Sequence, residues 1–213
     1  AFEREHALEQ PVLGALDLLE GQADLRADLE HARVVFAFAA GVRQAELTGG
    51  ASANSINASA FSGKLQLDGK GGNDTLTSGS GVGIVFGGEG NDTLIAGSGP
   101  AVLVGGDGND TLKVAGTPSG GVNAGHAILI GGAGIDNLTG GARQGMLIDS
   151  STDFDLIAAD LANLLTHWTG AGSYATRAAQ LATDLAGALN PDGVSDTLNG
   201  GAGALDLFFA NLT

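Results

Sequence analysis

The middle of the chain alternates glycine-rich polar segments with short apolar segments. Between Gly87 and Gly116 the sequence reads GGEGNDTLIAGSGPAVLVGGDGNDTLKVAG, in which GG-x-GNDTL occurs twice. In each copy three residues follow the aspartate, and the middle one is leucine. These three residues predict a minimal strand. Because strand side chains alternate between two faces, the leucine is expected to face a core. The leucines that this pattern places in the core are Leu76, Leu94, Leu112 and Leu138.

A fixed period underlies this pattern. Asp74, Asp92 and Asp110 are each 18 residues apart, which is two nonapeptides, and Asp136 follows after 26. We therefore expect a solenoid with two nonapeptides per coil, the four aspartates in one column, and a surface loop near Pro118 that absorbs the extra residues. Upstream, Asn54 occupies the aspartate position of a weaker copy.

The second half of each coil has a different character. The segments SGSGVGIVF, AGSGPAVLV and GGARQGMLI place Gly83, Ala101 and Gly145 where an aspartate would stand. We therefore expect no conventional metal column at that edge. The strands are apolar on both faces: Val85, Leu103, Leu129 and Leu147 are expected to face the core, and Ile84, Phe86, Val102, Val104, Ile128, Ile130, Met146 and Ile148 to face outward.

An outward apolar stripe of this size needs a cover. Residues 1–46 form one candidate, because Leu13, Leu16, Leu19, Leu25 and Leu29 have roughly helical spacing, although Gly14 and Gly21 disfavour a helix. A short strand is expected over Val34–Phe38. A second candidate is a helical hairpin over residues 150–190, with Thr152 and Asp155 resembling a capping box and Ser173 as the second cap. A partner subunit is the third.

These patterns predict a mainly β protein: a right-handed parallel β-roll or β-helix solenoid with an N-terminal helical cap and an inserted α-helical hairpin. The expected divisions are a cap over 1–46, a roll over 47–149, the hairpin over 150–190, and a return to the roll and C-terminal cap over 191–213. In the last segment Asp196 precedes Thr-Leu-Asn, and GGAGALD has one extra residue before Asp206.

Composition narrows the function. The chain has 37 glycines, no cysteine and a formal net charge of −15, which argues against nucleic acid or an anionic membrane as a partner and fits a cation binder. No apolar run is long enough for a transmembrane helix. The first residue is alanine and no signal-peptide pattern follows, which suggests a processed product or part of a longer chain. Neither H-E-x-x-H nor G-x-S-x-G occurs, so no enzyme activity is expected.

The aspartate column points to calcium. Glycine-rich turns can aim main-chain carbonyls inward, the aspartate adds a charged oxygen, and two stacked turns supply the six to eight oxygens that Ca²⁺ prefers. A cation between neighbouring turns would also relieve repulsion in the column. Four turns predict about three interturn sites. The alternative is a metal-free solenoid in which the aspartates serve only as turn caps.

Residues 69–149 resemble the RTX calcium-binding β-roll of secreted bacterial toxins, proteases, lipases and surface proteins. The stretch from Ser151 to Ala210 also resembles C-terminal regions of large planctomycete-type RTX surface proteins. In this family, positions 1, 3 and 6 of one turn and 2, 4 and 6 of the next ligate each calcium. The resemblance implies the following metal-site residues: Gly69, Gly71, Gly72, Asp74, Gly87, Gly88, Glu89, Gly90, Asp92, Gly105, Gly106, Asp107, Gly108, Asp110, Gly131, Gly132, Ala133, Gly134 and Asp136.

The resemblance also indicates where the pattern weakens. Glu89, Asp107 and Ala133 would act through their carbonyls, while Lys70 departs from the glycine expected at the second position of its turn. Asn54 and Asp206 make calcium binding doubtful in their own turns.

Three functions fit this sequence. The first is a secreted or cell-surface bacterial calcium-binding structural protein, whose roll folds on calcium and which self-associates into a filament, matrix, surface layer or adhesin through the apolar face or the solenoid ends. The second is the non-catalytic secretion and folding tail of a larger secreted hydrolase. The third, a polysaccharide-active β-helix, is disfavoured because the outward strand residues are threonine or aliphatic.

Overall fold

The computed structural model describes residues 16–19, 22–29, 33–35, 42–115, 126–142, 144–201 and 206–209. The described chain is mainly β, with two helices, α1 (Ala158–Thr169) and α2 (Tyr174–Asp184). In chain order the strands are β1 (Leu16–Leu19), β2 (Gln22–Leu29), β3 (Arg33–Val35), β4 (Val42–Gly49), β5 (Ser55–Asn57), β6 (Lys64–Asp68), β7 (Thr75–Thr77), β8 (Gly83–Glu89), β9 (Thr93–Ala96), β10 (Ala101–Asp107), β11 (Thr111–Val114), β12 (Ala127–Ala133), β13 (Asn137–Thr139), β14 (Gly145–Ile148), β15 (Ser151–Thr152), β16 (Leu189–Asn190), β17 (Thr197–Asn199) and β18 (Leu207–Phe209).

The chain winds alternately through two sheets whose strands are parallel except for β1, which pairs antiparallel with β2, and this arrangement makes the fold a parallel β-roll. β15 and β16 form a separate antiparallel pair. Sheet A has the order β1-β2-β4-β6-β8-β10-β12-β14-β18, and sheet B has the order β17-β13-β11-β9-β7-β5-β3. Thr75, Thr93 and Thr111 pair in register, so the 18-residue coil is confirmed. The offset becomes 26 at the next coil, where Thr111 pairs with Asn137. The loop expected near Pro118 lies outside the described residues.

The core between the two sheets is built from the alternating strand residues. In β11, for example, Leu112 is buried while Thr111 and Lys113 are exposed. The leucines of sheet B and the inward residues of sheet A form one buried cluster, as expected: Leu76, Leu94, Leu112, Leu138, Val85, Leu103, Leu129 and Leu147 are all fully buried. Burying each such side chain stabilises the fold by roughly 1.5–3 kcal/mol.

A helical hairpin follows β14, as the sequence predicts. Ser173 caps α2 by accepting the backbone N–H of Thr176 at 3.2 Å. Thr152 and Asp155 bind each other, the Thr152 hydroxyl donating to Asp155 at 2.6 Å. They do so in a turn that precedes α1, and no side chain caps that helix.

The hairpin covers the outward apolar face of sheet A. Ile84, Val102, Val104, Ile128, Ile130, Met146 and Ile148 form a second buried cluster with Leu161, Leu164, Leu165, Trp168, Leu181 and Leu185 of the hairpin region. Phe86 is partly buried against it. The expectation that an intrachain helix covers this face is confirmed for the hairpin, so the strand face that it covers is not free for self-association.

The prediction of an N-terminal helical cap is wrong where the structure describes this region. Leu16 and Leu19 lie in β1, and Leu25 and Leu29 lie in β2, while Leu13 lies outside the described residues. The sequence of β2, QADLRADL, alternates polar and apolar residues, which is the strand period and outweighs the looser leucine spacing. β2 pairs in parallel with β4, so sheet A extends upstream of residue 47. The expected strand over Val34–Phe38 is found as β3, with Phe36 to Phe38 outside the described residues.

Neither α1 nor α2 has the length and apolarity of a membrane-crossing helix, and this finding concerns the described residues alone.

Candidate metal centre

Four similar turns lead from sheet A to sheet B along one edge of the roll. They occupy residues 69–74, 87–92, 105–110 and 131–136, and each ends in an aspartate. The second and fourth positions adopt positive φ, between 93° and 133° where glycine stands there: Gly72, Gly88, Gly90, Gly106, Gly108, Gly132 and Gly134. Lys70 adopts the same conformation, with φ of 74°, without being glycine. The predicted turn residues therefore stack in register.

Close stacking explains why glycine is needed at these positions. A Cβ added at Gly88 would collide with the main chain of Lys70 one turn below, and its φ of 108° also disfavours other residues. Adjacent turns are in direct main-chain contact, so their main-chain oxygens lie close to each other.

The aspartates form a hydrogen-bonded ladder along this edge. In each step, the backbone N–H of one aspartate donates to Oδ1 of the aspartate in the next turn. The distances are 2.7 Å for Asp74 to Asp92, for Asp92 to Asp110 and for Asp110 to Asp136. Asn54 begins the ladder by donating its N–H to Asp74 at 2.6 Å. The ladder holds each carboxylate in one orientation.

The second carboxylate oxygen of each aspartate is buried and has no hydrogen-bond partner. This holds for Oδ2 of Asp74, Asp92, Asp110 and Asp136, whose residues are at most 2% exposed. A Cβ added at Gly87 would collide with both Oδ2 of Asp92 and the carbonyl oxygen of Gly105. Two oxygens, one of them charged, thus crowd around one point with no donor between them. Buried carboxylates require such a partner, and a hard cation such as Ca²⁺ fits this donor set.

The electrostatics of the aspartate column favours binding of a cation. Burial raises the pKa of Asp110 to about 7 and the pKa values of Asp74, Asp92 and Asp136 to about 6. Hydrogen bonds from the neighbouring backbone lower these pKa values, but burial outweighs them. A cation would favour the ionised form of every carboxylate in the column.

Main-chain oxygens must supply much of any coordination shell here. Within the described ranges, no three or more Asp, Glu or His side chains converge on a common metal position. The side chains of Glu89 and Asp107 are exposed, consistent with the expectation that those residues act through carbonyls. The carbonyls of Asp107 and Ala133 each already accept a backbone N–H at 2.8 Å, from Gly90 and Gly108, which leaves each one lone pair.

The opposite edge differs, as expected from the sequence. Gly83, Ala101 and Gly145 begin strands of sheet A there and bring no carboxylate. Asp206 is the exception: its Oδ1 accepts the backbone N–H of Gly145 at 2.6 Å, which repeats the ladder geometry on the return edge. GGAGALD therefore does not continue the main aspartate column.

Sequence reasoning missed two features of the main edge. Asp196 follows Asp136 in the ladder, with the Asp136 N–H donating to its Oδ1 at 2.8 Å, and the repeated Asp-Thr-Leu of residues 196–198 could have indicated this. An exposed asparagine ladder runs beside the aspartates in the opposite direction: the Asn109 N–H donates to Oδ1 of Asn91 at 2.7 Å. The second ladder explains the asparagine of each GND triplet.

Comparison with known proteins agrees with this geometry. No curated protein and no solved structure matches the chain. The family model of the RTX calcium-binding nonapeptide repeat (4 copies) matches residues 66–94, 86–113 and 122–142, which include all four turns. RTX nonapeptide repeats bind Ca²⁺, and proteins that carry them are typically secreted. The stacked turns between residues 66 and 142 are RTX calcium-binding nonapeptide repeats.

Proposed function

We propose that this chain is a calcium-dependent structural module of a secreted or cell-surface bacterial protein, and that it has no catalytic role. The observation that carries the proposal is the row of buried Oδ2 atoms without partners at Asp74, Asp92, Asp110 and Asp136. Each carboxylate is held by the ladder but left uncompensated, so the folded roll is complete only with cations along this edge.

The proposed ligands are the turn residues themselves. One calcium would lie between each neighbouring pair of turns, three in all across the four turns, held by an aspartate from each side and by glycine carbonyls such as that of Gly105. Because the unfolded chain does not preform these turns, binding energy becomes folding energy. Extracellular millimolar calcium would then favour the folded roll by mass action.

A calcium titration of metal-depleted protein tests this function. Far-ultraviolet circular dichroism should show the β signal growing with calcium, and isothermal titration calorimetry should count at least one bound ion per pair of repeat turns. Magnesium is the control, since it prefers a small octahedral shell with several waters. A dichroism spectrum that calcium and chelator leave unchanged would contradict the proposal.

We further propose that the module self-associates through the end of the solenoid. Phe208 pairs in register with the fully buried core residue Leu147, yet Phe208 is 46% exposed in the last described strand. β18 is the terminal strand of sheet A among the described strands, and an apolar core position on a terminal strand favours addition of another strand. Sedimentation velocity should show larger species with calcium than without, and Phe208→Ser should reduce them. A purely monomeric protein at high calcium concentration would contradict assembly.

A further inference from the structure

The helical hairpin is inserted inside one turn of the aspartate edge. Asp149 directly follows Ile148, which pairs with Ile130, so Asp149 stands where Gly131 begins the previous turn. At the other end, Asp196 directly precedes Thr197, which pairs with Asn137, so Asp196 stands where Asp136 ends that turn. The first and last positions of one turn are thus separated by residues 150–195, which contain both helices. We call residues 149 and 192–196 the split turn.

The split turn repeats the geometry of the regular turns. Asp196 accepts the Asp136 N–H on Oδ1 at 2.8 Å, and its Oδ2 is buried without a partner. Asp136 is 1% exposed, and its own Oδ2 also has no partner. A Cβ added at Gly131 would contact both of these Oδ2 atoms. Two unpaired carboxylate oxygens therefore point to one place between the last regular turn and the split turn.

Asp192 adds a further negative charge to the split turn, at the N–H of Gly134. In the regular turns, the N–H of Gly108 donates to the main-chain carbonyl of Ala133 at 2.8 Å. The equivalent N–H of Gly134 donates to the carboxylate of Asp192 at 2.8 Å. A charged side-chain oxygen thus replaces a neutral carbonyl, which strengthens the attraction for a divalent cation.

We propose that the split turn forms a fourth calcium site with Asp136, and that this site fastens the hairpin over the apolar face of sheet A. The inference rests on the proposed calcium function. A cation shared by Asp136 and Asp196 would hold the distal end of the insertion against the roll. β14 already holds the other end. With both ends of the insertion fixed, docking of the hairpin costs less chain entropy.

Without a cation the same residues oppose docking. The carboxylates of Asp136, Asp149 and Asp192 all lie close enough to Asp196 to disfavour its ionised form. Asp196 is therefore repelled by its acidic neighbours at the point where the insertion rejoins the roll. The structure therefore links calcium at the split turn to whether the apolar face is covered.

A natural reporter of docking is present. Trp168 is the only tryptophan in the sequence, it lies in α1, and it is fully buried. Its indole contacts Tyr174 edge to face, with ring centroids 6.0 Å apart. Tryptophan emission therefore follows the hairpin alone, while far-ultraviolet dichroism sums the eighteen described strands and the two short helices, so that the roll makes up most of the ordered backbone that it reports.

The experiment titrates calcium into the metal-depleted full chain and records both signals for wild type, Asp196→Asn and Asp74→Asn. The two variants lose the same charge from the same column at opposite ends. Asp196→Asn should move the tryptophan midpoint to about tenfold higher calcium than its dichroism midpoint and should bind one ion fewer by calorimetry. In Asp74→Asn the dichroism midpoint should move at least as far as the tryptophan midpoint.

Each result decides between the proposals. Coincident midpoints and an unchanged number of bound ions in Asp196→Asn overturn the split-turn site. If Asp196→Asn does not fold at any calcium concentration, Asp192→Asn decides: separated midpoints support the site and coincident midpoints overturn it. A wild-type roll that ignores calcium overturns the proposed function itself, whereas a responsive wild type with both variants behaving alike overturns only the split-turn site.

Discussion

The backbone N–H of Asp92 donates to Oδ1 of Asp110 at 2.7 Å, while Oδ2 of Asp110 is buried without a partner. One carboxylate therefore has two separate tasks. Its first oxygen ties adjacent coils together in the folded roll, and its second oxygen carries a charge that a cation can compensate. This division explains why substitutions and pH should affect the metal-free and calcium-bound proteins in opposite directions.

The metal-free roll should become less stable as pH rises from about 5 to 8. The ordinary pKa of an aspartate is 3.8, and burial raises the pKa of Asp110 to about 7. The folded state thus binds more protons than the unfolded state between these pKa values, and the free energy of unfolding falls as pH rises through them. In chelator the roll should keep a melting transition at pH 5, and this transition should move to lower temperature at pH 6 and 7 until the metal-free roll is unfolded.

Saturating calcium should reverse this trend, because Ca²⁺ and protons compete for the same carboxylates. The calcium-bound protein should therefore gain stability from pH 5 to pH 7. A metal-free melting temperature that increases with pH would contradict the raised pKa values.

Asp92→Asn should stabilise the metal-free roll and weaken calcium binding. The amide keeps an oxygen for the Asp74 N–H, removes the buried charge, and can donate to the carbonyl of Gly105 that crowds Oδ2. We expect a higher melting temperature in chelator and an affinity for calcium that is lower by about tenfold. Asp107→Asn is the matched control, because its carboxylate is exposed and its change in stability should stay within about 0.5 kcal/mol. Equal effects of the two substitutions would contradict the role of Oδ2.

Periodicity was sufficient to predict the regular part of this molecule. Equal spacing of Asp74, Asp92 and Asp110 determines the coil, and alternation around Leu112 determines which side chains enter the core. Both follow from local geometry repeated at a fixed interval. The outward apolar stripe also predicted that a cover exists, because apolar area of that size is unstable in water.

Features that depend on contacts distant in the sequence could not be predicted. The Asp-Thr-Leu of residues 196–198 indicates a return to the roll after the hairpin, but only the pairing of Thr197 with Asn137 shows that Asp196 stacks on Asp136. Residues 22–29 illustrate a different failure: leucines at loose helical spacing concealed a strict two-residue alternation. Hydrogen bonding to β4 stabilises this segment as a strand, and tertiary pairing of this kind overrides weak local propensity.

Lys70→Gly should stabilise the first turn. Lys70 has φ of 74° at a position where the other turns have glycine, and a left-handed conformation costs a side-chain-bearing residue about 1–2 kcal/mol. Two effects offset part of this gain. Glycine has greater chain entropy in the unfolded state. The substitution also removes the surface ion pair between Lys70 and Asp68. A net increase of about 0.5 kcal/mol in the free energy of unfolding is expected by urea denaturation.

Gly88→Ala is the reverse test at the equivalent position of the next turn. Its Cβ would collide with the main chain of Lys70, so we expect a loss of more than about 1 kcal/mol in the same urea measurement. Stabilisation by Gly88→Ala, or destabilisation by Lys70→Gly, would show that positive φ does not limit these turns.

Leu161→Ala should weaken docking of the hairpin and leave the roll folded. Leu161 is fully buried among the outward residues of sheet A, and a large-to-small substitution there costs about 2–5 kcal/mol. Leu156→Ala is the matched control, because Leu156 lies in the same segment and is 92% exposed. In the presence of calcium, Leu161→Ala should bind a hydrophobic dye and shift Trp168 emission to longer wavelength while keeping the β dichroism, and Leu156→Ala should match wild type. If neither variant binds the dye, the hairpin does not shield the apolar face of sheet A from water.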